Sequence, residues 1–276
     1  MEPFRYAVSF AEVTPMTAPL PLCGDVCENL HRAAALGYAG LELHTRENAP
    51  LDIAKIKTAS AECGGAITAI ATGRLYTQGK MSMLDDDPST AKAAGQGMRA
   101  YIDLAHSLGA RDLVVGWAKG NIPPEGERGH YMQRLANGLR SLGEYAAPKG
   151  VRLHLEVINR YEANLLTTAE ETCSFLEEHE LENCFVHLDT FHMNIEESDP
   201  YAAIRRCGRR LGYFHVADNT RRYPGSGQLD FIRTLATLKE FGYDGYVTVE
   251  CTPGPDRLET AKKAIEHLRH CESRLL

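Results

Sequence analysis

Four side chains that commonly bind divalent cations recur in the second half of the chain. Each ends a short, largely apolar run that is typical of a β-strand, and the runs read LHLE, VHLD, YFH and VTVE. The side chains are Glu156, Asp189, His215 and Glu250. Three carboxylates and one imidazole, with no thiolate, suit Mn²⁺, Mg²⁺ or Co²⁺, and Zn²⁺ also binds such groups. The pattern predicts a centre for one divalent metal ion.

The alternation of side chains along a strand predicts that these four groups point the same way. Successive residues of a strand face opposite sides of the sheet. The apolar neighbours predicted to face the helices are Leu153, Leu155, Val186, Leu188, Phe214, Val216, Val247 and Val249. The four metal-binding groups then share the other face, each at the C-terminal end of its strand.

Four such groups can lie close together only if a positive charge offsets the repulsion between their carboxylates. Two like charges a few ångströms apart repel by on the order of several kcal/mol at an effective dielectric constant of about 20. A divalent cation removes this repulsion. The alternative is that Arg, Lys or backbone donors satisfy each group separately, but four such groups on consecutive strands favour the cation.

Eight short apolar runs, each followed by a helical pattern, supply the elements that position the four groups. The predicted strands are 5–10, 39–44, 66–71, 113–117, 151–157, 184–189, 212–216 and 245–250. The predicted helices are 24–36, 51–63, 90–109, 127–147, 168–179, 199–210, 229–241 and 256–270. Strands that alternate with helices indicate a parallel sheet. Eight units predict one (β/α)8 TIM barrel over residues 1–276, and a doubly wound sheet is disfavoured because no GxGxxG follows the first strand.

Two connections are longer than the others, at 72–89 and 118–126. Both follow a strand, so both belong to the C-terminal face of the barrel, where active sites of this fold are built. Loops of this length commonly act as lids or binding loops, and the alternative is a plain surface excursion.

Composition excludes several classes of protein. The net charge of −7, from 30 Lys and Arg against 37 Asp and Glu, argues against a nucleic-acid partner, whose binding needs a basic face. Apolar runs stay well short of the ~18 residues of a membrane span, so we expect no membrane partner. The N-terminal residues do not resemble a signal peptide, and eight cysteines without regular spacing suggest free thiols. We therefore expect a cytoplasmic protein.

The strings around the four groups resemble a known superfamily. They read LEVINRYE, LDTFHMNIEE, FHVADNTRRYPGSGQLDF and GYDGYVTVE, and they fall within residues 150–255. The chain resembles the sugar isomerase/epimerase superfamily with a xylose isomerase-like barrel. Within it, the chain is most similar to the D-tagatose/D-allulose (psicose) 3-epimerases and related keto-sugar epimerases.

The resemblance implies a set of roles for individual residues. Glu156, Asp189, His215 and Glu250 would bind one divalent metal, usually Mn²⁺. Three further residues would contact substrate oxygens near the reacting carbons: Glu162, His192 and Arg221. The partner would be a small-molecule sugar, and relatives often form homodimers or homotetramers.

The implied reaction is epimerisation at C3 of a ketose. Glu156 and Glu250 would act as the paired base and acid on the two faces of the carbon, through a metal-stabilised cis-enediolate. Residues 216–220, VADNT, differ from the string common in ketose 3-epimerases and look closer to relatives acting on keto-glycosides. A 3-keto-glycoside 4-epimerase and a 3-oxo-glycoside lyase or deglycosidase therefore remain alternatives.

Trp117 and the glycine-rich segment 224–227 each allow two interpretations. Trp117, predicted to end the fourth strand, would stack on a sugar face or aglycone, or pack at the barrel rim. The glycines of 224–227 would hold a sugar phosphate or simply form a tight turn, and we favour an unphosphorylated sugar.

Two further classes of barrel protein are weighed against an epimerase. One is a non-catalytic carbohydrate-binding barrel, and the intact pair of Glu156 and Glu250 argues against it. The second is an endonuclease for abasic DNA, which needs a larger set of metal ligands and a basic face. The acidic net charge and the single ligand quartet argue against that class.

Overall fold

The computed structural model of the protein describes residues 2–275. Eight parallel strands form its sheet: β1 (Arg5–Ala11), β2 (Gly40–His44), β3 (Ala66–Ala71), β4 (Asp112–Val115), β5 (Arg152–Glu156), β6 (Cys184–Asp189), β7 (Leu211–Val216) and β8 (Tyr246–Val249). Each strand pairs with the next in the chain, and β1 also pairs with β8, with Arg5 opposite Tyr246. The sheet is therefore closed, and the predicted (β/α)8 TIM barrel is confirmed.

Eight helices surround the barrel, one after each strand. They are α1 (Val26–Leu36), α2 (Ile53–Cys63), α3 (Pro88–Leu108), α4 (Arg128–Ala146), α5 (Ala169–Glu178), α6 (Pro200–Cys207), α7 (Phe231–Glu240) and α8 (Arg257–Ser273). Smaller elements are a two-residue strand at Leu22–Cys23, short helices at Gly73–Thr77 and Thr190–Glu196, and 3-10 turns at Trp117–Lys119, Ala147–Lys149 and Gly208–Arg210.

The sequence of α3 shows why these helices begin and end where they do. The Asp87 carboxylate accepts a hydrogen bond from the Thr90 amide at 2.9 Å, and Pro88 occupies the first turn, where no amide hydrogen is needed. Gly109 ends the helix with φ of 77°, a left-handed conformation that glycine adopts without strain.

One sequence-based expectation needs correction near the barrel mouth. The fourth strand ends at Val115 rather than at Trp117, because Gly116 turns the backbone away with φ of −92° and ψ of −111°. Trp117 therefore begins a 3-10 turn. The long connection at 72–89 contains a short helix, Gly73–Thr77.

The barrel has an apolar outer layer and a polar interior. The eight residues predicted to face the helices all belong to the main hydrophobic core. Inside the barrel, the side chains of alternate residues form a separate small apolar cluster and several polar contacts. Asp112 accepts hydrogen bonds from His154 Nε2 at 2.7 Å and from Arg152 Nη2 at 2.8 Å. Strand alternation thus separates packing, on the outside, from polar groups, on the inside.

All eight cysteines are free thiols, as the irregular spacing predicts. Cys173 and Cys207 are neighbours, with their sulfur atoms 3.7 Å apart. Within residues 2–275, none of the helices combines the length and apolar character that crossing a membrane would require.

The close approach of β2 and β3 in the closed barrel leaves no room for a side chain at Gly40, the first residue of β2. A Cβ atom there would overlap the carbonyl oxygen of Ala66 on β3. We expect Gly40→Ala to lower the free energy of unfolding by about 1–3 kcal/mol, as overpacking does. Urea denaturation measures the change.

The matched control is Gly95→Ala on α3, where, among residues 2–275, a Cβ would meet no atom within 4 Å beyond its own helix backbone. Alanine is favoured over glycine in a helix by about 1 kcal/mol, so this variant should be more stable than the wild type. Equal stability of the two variants would contradict the role of close strand approach at Gly40.

Candidate metal centre and active site

The structure brings the four predicted metal-binding groups together at the C-terminal mouth of the barrel. One ligand atom from each lies within 4.8 Å of those of the others. The residues are Glu156 at the end of β5, Asp189 at the end of β6, His215 on β7 and Glu250 directly after β8. Consecutive parallel strands end at the same rim, and this is why local alternation places all four side chains in one cluster.

A helix cap orients Asp189. Its Oδ1 accepts a hydrogen bond of 2.8 Å from the amide of Phe191, in the first turn of the short helix Thr190–Glu196. Its Oδ2 is buried and has no hydrogen-bond partner among the described residues. One oxygen therefore fixes the carboxylate, and the other is free to bind a cation.

His215 is oriented from across the barrel. Its Nε2 lies 2.8 Å from Glu42 Oε2, and its Nδ1 lies 3.7 Å from Glu250 Oε2. The Nδ1 atom is buried and, within residues 2–275, has no hydrogen-bond partner. Burial would favour a neutral Glu42, but the charges and hydrogen bonds of His215 and His44 hold its pKa well below its usual range.

The electrostatics of the cluster favour added positive charge. Burial raises the pKa of the Glu156 and Glu250 carboxyls, and it also raises the pKa of Asp189. Burial by itself would lower the pKa of His215, but the negative charges of Glu42 and Glu250 outweigh it and raise that pKa to about 10. Three carboxylates so close together are thus stable only beside a compensating cation or proton.

The donor set fits a divalent cation. An unpaired buried polar atom costs roughly 1–3 kcal/mol, and coordination would satisfy both Asp189 Oδ2 and His215 Nδ1. Gly116 also leaves the space that the cluster needs, since a Cβ there would overlap Glu156 Oε2. Glu156, Asp189, His215 and Glu250 would hold the ion.

His192 lies beside the cluster as a neutral hydrogen-bond donor. Burial lowers the pKa of its imidazole well below the usual value. Asn159 Nδ2 lies 2.6 Å from Nδ1, so Nδ1 accepts and the hydrogen resides on Nε2. That Nε2 is 3.7 Å from Glu156 Oε1 and 3.9 Å from Asp189 Oδ2.

Arg221 and Glu162, also predicted from the sequence, form an ion pair next to the same cluster. Arg221 Nη1 lies 3.2 Å from Glu162 Oε1, and Nη2 lies 3.4 Å from Glu250 Oε2. The Arg221 backbone has φ of 58°, a strained conformation for a residue with a side chain. Its carbonyl oxygen is held by the Thr252 amide at 2.7 Å, so the chain around it maintains the strain.

A cavity of about 460 Å³ opens directly over the cluster. Its lining includes Glu156, His192, His215, Arg221 and Glu250. Residues of the largely apolar segment 13–20, which follows β1, also line the cavity. The cavity therefore combines a charged floor with an apolar side.

Trp117 lines this cavity and a smaller one of about 150 Å³ on its other side. Tyr76 packs edge-on against the indole, with ring centroids 6.5 Å apart. Glu162 lines the smaller cavity rather than the larger one. The structure thus places Trp117 in the wall of the site, where it both packs at the rim and faces the cavity.

Sequence reasoning missed several residues of the site. Glu42 and His44 lie on β2 and, together with Glu250, form a second group of neighbouring ligand atoms. The alternation that identified the four strand-end groups also holds in the string GLELH, so that pattern could have revealed both. Asn159 and Lys119 carried no such signal. Lys119 is buried and donates from Nζ to the Glu156 carbonyl oxygen at 3.0 Å, and burial lowers its pKa to about 8.

The fold is a (β/α)8 barrel, and the candidate site lies at the C-terminal ends of its strands, where enzymes of this fold carry their active sites. The xylose isomerase-like TIM barrel family matches residues 30–271, and the chain belongs to this family. The resemblance carried by the strings around the four strand-end groups is thereby confirmed.

Individual relatives narrow the enzyme class. An L-ribulose 3-epimerase from Methylomonas sp. (strain DH-1) is 34% identical over 220 residues, which are 79% of this chain and 75% of that protein. A ketose 3-epimerase from Arthrobacter globiformis is 32% identical over 228 residues, 80% of this chain and 76% of that one. A 3-dehydro-D-guloside 4-epimerase from Escherichia coli (strain K12) is 30% identical over 182 residues, 62% of this chain and 68% of that one.

A solved structure agrees over nearly the whole chain. The D-allulose 3-epimerase from Methylomonas sp. is similar with a TM-score of 0.81 at 26% identity, covering 98% of this chain and 99% of that one. These relatives are epimerases, so the predicted enzyme class, an isomerase, is confirmed.

The cluster predicts that a divalent cation stabilises the fold. Mn²⁺ at a free concentration of about 100 times its Kd should raise the free energy of unfolding by about 2.7 kcal/mol. The stabilisation should increase from pH 6 to pH 8, because the carboxylates and the imidazole must lose protons to bind the ion. Differential scanning calorimetry with and without Mn²⁺ measures the effect.

Asp189→Asn should remove most of this stabilisation, and Asp244→Asn, at an exposed aspartate, should keep it. A Tm that rises equally with Mn²⁺ in the wild type and in Asp189→Asn would show that the ion binds elsewhere.

Proposed function

We propose that the protein is a metal-dependent keto-sugar epimerase that inverts C3 of a ketose. The observation that carries the proposal is the pair of glutamates, Glu156 and Glu250, whose carboxylates share one cluster beneath one cavity. Glu156 ends β5 and Glu250 follows β8, so they approach a bound molecule from different parts of the barrel wall. Epimerisation needs two such groups, one for each face of the carbon.

The proton transfers follow from this pair. One glutamate takes the proton from C3, and the electron pair of the broken C–H bond moves to the neighbouring carbonyl, giving an enediolate. The other glutamate, in its acid form, returns a proton to the opposite face of C3. Burial raises the pKa of both carboxyls. A divalent cation at the cluster would supply Lewis-acid polarisation of the carbonyl.

His192 and Arg221 are the proposed substrate-orienting groups. The His192 Nε2 hydrogen points toward the cluster because Asn159 occupies Nδ1. Arg221 offers a guanidinium beside Glu250, and Glu162 holds that guanidinium in place. Donors fixed in this way stabilise negative charge as it develops on a substrate oxygen. We propose Mn²⁺ as the resident ion, since the ligand set of oxygens and one imidazole suits it.

A second candidate is epimerisation at C4 of a 3-keto-glycoside. Two observations support it: the similarity to the 4-epimerase from Escherichia coli, and the extension of the cavity past the cluster to Trp117 and the apolar segment 13–20. The same glutamate pair would serve either carbon. A lyase acting on 3-oxo-glycosides would need the same initial proton abstraction.

An unphosphorylated sugar is the favoured substrate. The Asp218 carboxylate already accepts the amide hydrogens of Gly225 at 2.9 Å and Gly227 at 2.8 Å, and also that of Leu229 at 3.2 Å. The glycine-rich turn after β7 therefore has these amides engaged within the protein, which leaves them unavailable to a phosphate. The free thiols suit a reducing compartment, and we propose a cytoplasmic enzyme.

Single substitutions test the two-base scheme. Glu156→Gln and Glu250→Gln should each lower kcat by at least about 100-fold, since each removes a proton-transfer group. The assay follows deuterium incorporation at C3 in deuterated water, with Mn²⁺ binding measured separately on each variant. Glu240→Gln, in an exposed ion pair with Arg205, is the control. Near wild-type turnover with normal deuterium incorporation at C3 in either active-site variant would rule out the scheme.

A substrate panel distinguishes the two candidate reactions. The Mn²⁺-loaded protein is incubated in deuterated water with free ketoses, 3-keto-glycosides and sugar phosphates, and NMR locates the label. We expect deuterium at C3 of a free ketose. Label at C4 of a 3-keto-glycoside alone would favour the second candidate, and exchange restricted to sugar phosphates would contradict the interpretation of the Asp218 turn.

A further inference from the structure

Glu42 is a buried carboxylate inside the barrel that the proposed proton transfers do not use. It lies on β2, its side chain is fully buried, and it precedes His215 by 173 residues. Strands β1 and β8 separate β2 from β7 around the barrel, so the contact between Glu42 and His215 crosses the barrel interior.

Three donors converge on this carboxylate. Ser9 Oγ donates to Oε1 at 3.0 Å, and His44 Nε2 lies 2.7 Å from the same oxygen. His215 Nε2 lies 2.8 Å from Oε2. Because a carboxylate accepts hydrogen bonds and donates none, His215 must carry a hydrogen on Nε2.

The hydrogen on Nε2 determines the state of the other ring nitrogen of His215, Nδ1. With Nε2 protonated, any lone pair that the imidazole offers is on Nδ1. This atom is buried, has no hydrogen-bond partner among the described residues, and lies 3.7 Å from Glu250 Oε2 within the cluster. The hydrogen bond at one end of the ring therefore selects the donor atom at the other end.

We propose that Glu42 is a positioning residue that fixes the tautomer and orientation of His215, so that Nδ1 faces the metal ion. The inference rests on the metal centre of the proposed function and deepens it. Carboxylates that hold the far nitrogen of a metal-bound histidine contribute 10- to 100-fold to metal affinity in other proteins. We expect Glu42 to contribute in the same range.

The barrel contains a second pair of the same chemistry that serves as a matched control. Asp112 Oδ1 lies 2.7 Å from His154 Nε2, and both side chains are buried. Asp112 is the first residue of β4, at the end of the strand away from the cluster, and Arg152 also donates to it at 2.8 Å. Loss of this pair should lower stability without changing the donor atoms of the metal centre.

The test compares Glu42→Leu, Glu42→Gln and Asp112→Leu with the wild type. Leucine cannot accept a histidine hydrogen, and glutamine keeps an acceptor oxygen of the same reach. Isothermal titration calorimetry with Mn²⁺ should show a Kd raised about 10- to 100-fold in Glu42→Leu. Glu42→Gln should bind Mn²⁺ more tightly than Glu42→Leu does, and Asp112→Leu should bind it as the wild type does despite a lower Tm.

Two further measurements separate positioning from general destabilisation. Long-range proton–nitrogen NMR of the Zn²⁺-loaded wild type should show the His215 hydrogen on Nε2 and the metal on Nδ1. At saturating Mn²⁺, Glu42→Gln should recover most of the wild-type kcat, because the chemistry itself does not use Glu42. If Glu42→Leu does not fold, the Kd, NMR spectrum and kcat of Glu42→Gln still decide the question.

Each outcome bears on one of the two claims. An unchanged Kd in Glu42→Leu, or an equal rise in Glu42→Leu and Asp112→Leu, would overturn the positioning role of Glu42 and leave the metal centre intact. A metal bound through Nε2 would overturn it as well. A wild type that binds no divalent cation would overturn the metal centre of the proposed function, and this inference with it.

Discussion

The mutual repulsion of three carboxylates at the barrel mouth is the constraint on which the rest of the site depends. Their ligand atoms, with that of His215, lie within 4.8 Å of one another. Such a cluster cannot be stable in a low-dielectric interior unless positive charge accompanies it. Burial, together with this repulsion, raises the pKa of the Glu156 and Glu250 carboxyls.

Separate contacts from the surrounding structure orient the individual side chains in and beside this cluster. The helix cap at Phe191 engages one oxygen of Asp189 and leaves the other free. Gly116 makes room for the Glu156 carboxylate, and Asn159 leaves the His192 hydrogen on Nε2. These contacts bury little apolar surface. They therefore serve to orient the side chains of the site rather than to stabilise the fold.

Membership of the barrel family explains the position of the strand-end metal-binding groups better than it explains the loops that line the cavity. The ligand-bearing strand ends form part of the closed sheet, whose geometry the eight strands impose together. The cavity wall instead includes residues of the segments 13–20, 73–78 and 117–121, which lie outside the closed sheet and can vary more freely than the strands. We therefore expect the choice among related keto sugars to depend on these segments, while the proposed proton-transfer groups lie at the strand ends.

The sequence by itself determined the eight units, their order and the four strand-end groups. The alternation of side chains along a strand is a local property, so each short segment can be recognised without knowledge of the rest of the chain. It also placed His192, Arg221 and Glu162 through resemblance. Only the tertiary structure decided the pairing of Glu42 with His215, the turn that moves Trp117 off its strand, and the engagement of Asp218 with the glycine-rich amides. Barrel closure brings residues 173 apart into hydrogen-bond contact, and no local pattern specifies which partner a buried polar group will meet across the interior.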